Sequence, residues 1–276
     1  NRNFIYHHEI MNGGELLFEM GDRPAAPASE FPTSSVAKSP LLPSPVFSDA
    51  TPSFEKKTRI GINPNTSDPV LMHYTLDGSN PTKKSKVYKK PIKLKKSTLI
   101  KVRSFANGQS SFAVEGDFKR VNANWDIQVG SEYANQYAAG GDRALIDQIR
   151  GGNDFRTGAW QGYYDTDLEV SIDFKKKKKI ESIQMRFLQD IRSWVWFPSE
   201  VTFMISDDGK NWYPIHTAKN TAPIDEYGSI TQEFGFEKVL KTQYLKVTAK
   251  NRGICPDWHL GAGNPTWIFA DEIMVN

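Results

Sequence analysis

The stretch LEVSIDFKKKKKIESIQMRF, residues 168–187, decides the fold. Leu168, Val170, Ile172 and Phe174 alternate with Glu169, Ser171 and Asp173, and Ile183, Met185 and Phe187 repeat the pattern. A period of two sends one set of side chains into a core and the other into water, as in a half-buried antiparallel strand. Lys175–Lys179 lies between the two runs and reads as a solvated hairpin tip. No aromatic residues are interleaved with these lysines, which disfavours a nucleic-acid partner.

The pattern continues on both sides. Val201, Phe203 and Ile205 lead into Asp207-Asp208-Gly209-Lys210, a hairpin turn, and the return strand starts near Trp212, read as a core residue. Leu245, Val247 and Ala249 alternate, and Ile268–Val275 closes the chain. Helical text is nearly absent; Ala144–Ile149 allows one turn. Residues 120–276 therefore predict an all-β sandwich or jelly roll with long loops. Upstream, Arg59–Ile62, Leu71–Leu76, Ile92/Leu94 and Ile100/Val102 mark shorter strands around the turn cluster Asp77–Pro81, predicting a small β-sandwich over 46–119. Residues 23–45 are rich in Pro, Ala and Ser and read as an extended linker, with Phe31, Leu41 and Leu42 as pins to neighbouring surfaces. In residues 1–22, Asn12-Gly13-Gly14 separates two apolar runs and predicts a hairpin that needs a partner surface.

The chain of 276 residues is 38% hydrophobic and 24% charged, too apolar for wholesale disorder. Its 35 basic and 32 acidic residues leave a net charge of +3, too small to imply a polyanionic partner. No run approaches the ~18 apolar residues of a membrane span, so membrane insertion is not expected. The single cysteine, Cys255, rules out an intramolecular disulfide and leaves the compartment open. Starting at Asn1 without a signal core, the chain looks like a piece of something longer.

Catalytic constellations are missing from the sequence. The acidic pairs Asp207/Asp208, Asp225/Glu226 and Asp271/Glu272 are adjacent residues, and neighbours on a strand point to opposite faces, so none makes a general acid/base pair across a cleft. Cys255 precedes a proline and opens no helix, and His7 and His8 lack zinc-ligand spacing. The seven tryptophans say more. Trp194 and Trp196 flank Val195 in IRSWVWFP, and Trp258 lies in the loop text CPDWHLGAGNPTW beside Asn251, Arg252, Asp257 and His259. Aromatic faces stack on sugar rings while Arg, His, Asp and Asn hold hydroxyls. Two readings of Trp258 stand: a stacking platform, or a plug at the end of the sandwich. If the loops 156–163, 191–198 and 251–267 gather at one end, they bring together Arg156, Trp194, Trp196, Arg252, Trp258 and His259 as a carbohydrate site.

Residues 124–276 resemble the discoidin domain, also called coagulation-factor type C, in the form of family-32 carbohydrate-binding modules. The carriers are ALIDQIRGGNDFRTGAWQGY (144–163), VTFMISDDGKNWYPI (201–215), TQYLKVTAKN (242–251) and IFADEIMV (268–275). HYTLDGSNPTKKSKVYKKPIKL (73–94) resembles the chitobiase/β-hexosaminidase C-terminal domain, and FIYHHEIMNGGELLFEMGDRPA (4–25) the final strands of family-92 glycoside hydrolases. Together they imply an all-β fold, a small Ig-like β-sandwich followed by a discoidin-type jelly roll. They also imply the non-catalytic C-terminal region of a secreted bacterial calcium-dependent α-1,2-mannosidase, extracellular, periplasmic or cell-surface, whose partners are a glycan and the upstream catalytic domain. The alternative is a purely structural role for both β-domains. A third reading, from animal relatives, is binding to protein or phospholipid through apolar loop spikes.

The resemblance also implies a structural calcium. Asp147 matches the loop ligand, although Gln148 stands where the family has glycine. Asn153 and Asp154 lie where a second side-chain ligand belongs, and Glu272 matches the terminal glutamate. Six to eight oxygens are needed, so backbone carbonyls would have to contribute. The other possibility is a hydrogen-bonded loop without metal.

Overall fold

The computed structural model describes residues 4–17, 21, 42–48 and 51–276. The chain forms two compact units, Asn1–Leu42 and Pro43–Asn276. In the first, the hairpin expected around Asn12-Gly13-Gly14 does not form among the described residues; α1 (His7–Met11) stands there instead. The Glu9 N–H donates to the Tyr6 carbonyl at 3.0 Å, and the Glu9 carboxylate reaches back to the Tyr6 N–H at 2.8 Å. That is half of a capping box. Two short runs without a third strand gain little from pairing, so the local helical bonds prevail. The Pro/Ala/Ser-rich segment lies largely outside the described residues, with Phe31 and Leu41; Leu42 is half-buried.

The second unit begins with nine short strands: β1 (Val46–Ser48), β2 (Ser53–Phe54), β3 (Thr58–Asn63), β4 (Leu71–Thr75), β5 (Lys86–Val87), β6 (Ile92–Leu94), β7 (Thr98–Ala106), β8 (Gln109–Ser110) and β9 (Val114–Arg120). One sheet runs β1-β3-β6 and the other β2-β9-β7-β4-β5, with β8 on β7. Ile60, Ile62, Ile92 and Leu94 from the first meet Tyr74, Ile100, Val102 and Phe118 from the second in one buried core. The period-two text of these strands produces this by facing every second residue inward.

Seven more strands follow: β10 (Asp126–Val129), β11 (Gln161–Tyr164), β12 (Leu168–Gln189), β13 (Glu200–Ser206), β14 (Tyr213–Lys219), β15 (Ile230–Lys250) and β16 (Trp267–Val275). Their order is β11-β16-β12-β15-β13-β14, with β10 on β12. The lysine run is not a hairpin tip. β12 and β15 stay antiparallel partners throughout, but the register steps from Asp173/Tyr244 to Lys178/Thr242, so Phe174–Lys177 bulges out. A bulge bends and twists the strand. Val170 and Ile172 before it and Ile183, Met185 and Phe187 after it then belong to one core, the arrangement of a jelly-roll sandwich. The expected turn at 144–149 is a 3-10 helix, Asp142–Ile146, which buries Ala144, Leu145 and Ile146. Trp212 is not a core residue: it is half-buried on the sheet with the Lys246 ammonium 4.9 Å from its ring centroid. At the hairpin turn, the Asp208 carboxylate accepts the Lys210 and Asn211 N–H groups at 2.8 and 2.9 Å, which holds it well below the usual carboxylate range.

β16 defines the two ends of this sandwich. At Trp267 it meets the 190–196 loop, where the Trp267 N–H donates to the Trp194 carbonyl at 2.8 Å. Its other end, at Val275, accepts the Lys178 ammonium at 3.1 Å and faces the junction with the first sandwich. There Arg143 donates to the carbonyls of Trp125 and Asn122 and lies 3.8 Å from Glu55. At about 3.3 Å per residue the two ends are roughly 26 Å apart.

Candidate functional site

At the Trp267 end, residues 251–266 form a loop fixed by its own backbone. Ile254 bridges to Pro265, the Cys255 N–H donates to the Asn264 carbonyl at 2.8 Å, and the Thr266 N–H donates to Gly253 at 2.9 Å. Asn251 clamps the base: its amide donates to the Thr166 and Thr266 carbonyls, and its Oδ1 accepts from Gly253 N–H and the Thr266 hydroxyl. All its hydrogen-bonding capacity is spent inside the loop, leaving none for a ligand.

Five of the six side chains expected at a carbohydrate site gather here, in two layers. The inner layer is buried. Trp196 is 2% exposed, donates its indole N–H to the Ile224 carbonyl at 3.0 Å, and packs with Ile191, Cys255 and the half-buried Trp194. His259, 6% exposed, meets Trp196 edge-on at 5.0 Å, and its Nδ1 accepts the Gly261 N–H at 3.0 Å. Trp196 and His259 therefore support the loop from beneath rather than face solvent. Cys255 is buried with them, and burial raises its thiol pKa, away from nucleophilic use.

The outer layer consists of the exposed Trp258 with the half-buried Arg252 and Trp194. Trp258, 47% exposed, sits edge-on to His259 at 5.7 Å, and its neighbour Leu260 is fully exposed. Arg252 lies 5.9 Å from the Trp196 ring centroid, with a buried Nε that has no partner among the described residues. Trp194 adopts a left-handed conformation, φ 62°, and faces Gly261 so closely that a Cβ there would lie 2.5 Å from the indole nitrogen. Gly261→Val should therefore displace Trp194 and loosen the loop, read as loss of amide protection over 253–264 in hydrogen exchange while the β12–β15 ladder stays protected.

Arg156 belongs to the adjoining cluster. It pairs with Asp154 at 2.9 Å and lies 5.3 Å from the Phe155 ring centroid; Phe155 packs on Tyr137 and Phe269. Sequence reading missed one aromatic pair at this end: Tyr164, exposed, tilts over the half-buried Trp267 at 4.7 Å. The signal was the QGYY strand text, in which Tyr163 is buried and Tyr164 faces out.

A second constellation lies on β16. Asp271 and Glu272 do not point to opposite faces. The β12–β16 register steps from Met185/Ile273 to Phe187/Ala270, so both acids oppose Arg186 in a bulge. Both reach one loop: the Glu272 carboxylate accepts the Gln148 N–H at 2.7 Å and Asp271 the Gly151 N–H at 2.8 Å. Burial, with the nearby charges of Asp147 and Asp271, pushes Glu272 up to about 9. Burial alone pushes Asp147 up to about 6. Crowded, desolvated carboxylates of this kind fit the donor class of a hard cation. Asn153 and Asp154 do not join them. The loop carries them to the surface, where Asp154 caps the 3-10 turn Phe155–Thr157 and binds Arg156, while the Asn153 carbonyl accepts from Ser229. Among the described residues no cluster of three His, Cys, Asp or Glu is arranged around one metal position.

Residues 126–267 match the family model of the F5/8 type C domain. The chain belongs to the F5/8 type C domain family. Ahead of that domain, residues 62–116 match the Fn3 associated family. No curated protein matches the chain. Among solved structures, the C-terminal domain of a chitobiase from Bacteroides fragilis is similar at 20% identity, covering 56% of this chain and 93% of that one, with a TM-score of 0.34. CBM32-3 from a family 31 glycoside hydrolase from Clostridium perfringens is similar at 17% identity, covering 55% and 90%, with a TM-score of 0.35. CpGH89CBM32-5 from the same organism, solved in complex with GalNAc-β-1,3-galactose, is similar at 16% identity, covering 55% and 94%, with a TM-score of 0.34. The F5/8 type C domain thus carries the Trp258 loop at one end and the Asp147/Glu272 carboxylates under the 147–151 loop.

Proposed function

We propose that the F5/8 type C domain binds carbohydrate at its Trp267 end and directs a larger glycoside hydrolase to glycan-bearing surfaces, without catalysis of its own. The observation that carries this is Trp258: an exposed indole on a loop whose underside is locked by Trp196, His259 and Cys255. A rigid aromatic face loses little entropy on stacking against a sugar ring. Arg252, half-buried in the same loop, supplies a guanidinium for sugar hydroxyls. Isolated affinity in the millimolar range is about −4 kcal/mol, and tethering to an enzyme multiplies its effect through effective concentration. A glycan array on the purified chain tests this; no signal on any glycan favours a purely structural role.

Ile254 and Leu260 flank Trp258 as exposed apolar residues. They favour a second reading, a protein or lipid surface, which co-sedimentation with phosphatidylserine vesicles tests. The parent enzyme proposed is an exported α-1,2-mannosidase, on the resemblance of residues 4–25; hydrolysis of α-1,2-mannobiose by the full-length polypeptide would check it.

We also propose that Asp147 and Glu272, with carbonyls of the 147–151 loop, hold a structural calcium. The linkage has a definite sign. Both carboxyls have folded pKa values above their ordinary ones. In chelator, the stability these two carboxyls contribute should therefore be full below about pH 4 and fall as pH rises toward about 9. Calcium needs the ionised forms, so its stabilisation should grow across the same window, reaching about 2.7 kcal/mol at a hundredfold excess over Kd. Thermal midpoints measured from pH 5 to 9, with calcium and with chelator, should diverge as pH rises; coincident curves refute the metal.

A further inference from the structure

The junction end of the F5/8 type C domain, far from Trp258, carries a second recess. Trp125, Phe174 and Lys178 wall a cavity of about 710 Å³. It continues along Asn122–Trp125 and Lys178 into a second one of about 530 Å³ reaching Lys56 and Arg120 of the first sandwich. The volumes fall within the range of small-molecule sites.

Charge decides what this recess takes. Its walls carry Lys56, Arg120, Lys175, Lys176 and Lys178 against two acids, Glu55 and Asp126. Both acids are already engaged, Asp126 by Lys175 and Glu55 by Arg143. Lys178 is half-buried, donates among the described residues to the Val275 carbonyl alone at 3.1 Å, and holds its ammonium 5.3 Å from the Trp125 ring centroid. No carboxylate pairs with Lys178, Lys176 or Lys56 among the described residues. Burial depresses the Lys178 pKa, the mark of a desolvated charge without its counter-ion. Asn122 and Asn124 add exposed side-chain amides on the rim.

We infer that this recess binds an acidic saccharide, its carboxylate or sulfate meeting Lys178 and Lys176 and its ring lying against Trp125. An oxyanion would supply the missing counter-charge, the amides would take hydroxyls, and the indole would take the apolar ring face. This site stands independently of the Trp258 loop, because it uses none of its residues and lies at the other end of β16.

The test is titration of the full chain, followed by the indole NMR resonances, with oligogalacturonate, a sulfated galactan oligosaccharide and neutral oligogalactose. An acidic oligosaccharide should shift Trp125, at least tenfold more tightly than the neutral one, and weaken as salt rises. The uronate and sulfate arms identify which oxyanion is preferred. Lys176→Glu, at an exposed position, should lower the affinity about tenfold, and Lys178→Met should do the same with its packing volume kept; Trp258→Ala should leave it unchanged. Equal binding of the neutral oligosaccharide, indifference to both lysine substitutions, or binding lost with Trp258→Ala would each overturn the proposal. So would inorganic sulfate binding as tightly as the acidic oligosaccharides, since the ring would then contribute nothing.

Discussion

Trp258→Ala is expected to abolish detectable carbohydrate binding while leaving the chain folded. A central aromatic anchor contributes 2 kcal/mol or more, against a total of about 4 kcal/mol for a millimolar complex. Losing half of that takes the dissociation constant roughly thirtyfold higher, beyond the reach of a direct titration. Folding should survive for a geometric reason. Trp258 is 47% exposed and touches the loop through the edge of His259, whereas the loop itself is held by Asn251 and the Ile254/Pro265 bridge. The comparison that makes this informative is Trp196→Ala, which removes a 2%-exposed indole and its bond to Ile224. That variant should lose about 3–5 kcal/mol of stability. Urea midpoints and glycan titrations on both variants separate the roles. Full binding by a folded Trp258→Ala chain would place the site elsewhere, and an unfolded one would make Trp258 a structural plug.

The second large effect is expected at Arg186. Its guanidinium pairs with Asp271, a carboxylate at 0% exposure, donates to the Gly151 carbonyl at 2.9 Å, and stacks 5.1 Å from the Trp160 ring centroid. Burial outweighs this pairing and pushes Asp271 up to about 6. Arg186→Met keeps the volume and leaves the carboxylate alone, which costs about 3–5 kcal/mol, a large share of a typical 5–15 kcal/mol stability. The loss should depend on pH. Without Arg186 the Asp271 pKa rises further, so the native state pays for ionisation at pH 8 but holds the proton at pH 5. The destabilisation in urea should therefore be larger at pH 8; an equal loss at both would show that the carboxylate is not what the arginine serves. The double variant Arg186→Met/Asp271→Leu should recover most of the stability, since an apolar pair of similar volume is often as good as a buried ion pair.

These two regions differ in how far the sequence could reach them. Alternation of apolar and polar residues at 168–174, 183–187 and 245–249 is a local signal. It specified all-β strands and their inward faces, because the side-chain period of a strand does not depend on what lies across the sheet. The turn at Asp207–Lys210 was legible for the same reason: Asp208 satisfies backbone groups two and three residues away. The tryptophan-rich loops were legible as loops, and their gathering at one end was an expectation from connectivity.

What only the tertiary structure decided were quantities set by residues distant in the chain. The lysine run is a bulge and not a tip because β15 pairs with both halves of β12, a fact fixed by register. Asp271 and Glu272 reach one loop because a one-residue slip against Arg186 removes the alternation that the sequence implied. Trp196 and His259 are buried while Trp258 is exposed, although all three stand in similar loop text, because the 190–196 and 251–266 loops pack face to face over Cys255. Trp125 walls a recess beside Lys178 because β10 pairs with β12 next to its bulge. The sequence by itself determined which segments are strands and which side of each turns inward, since those follow from short-range geometry. The fold alone decided which charges and aromatic faces remain open to a ligand, since exposure is a sum over neighbours that the chain brings from far away.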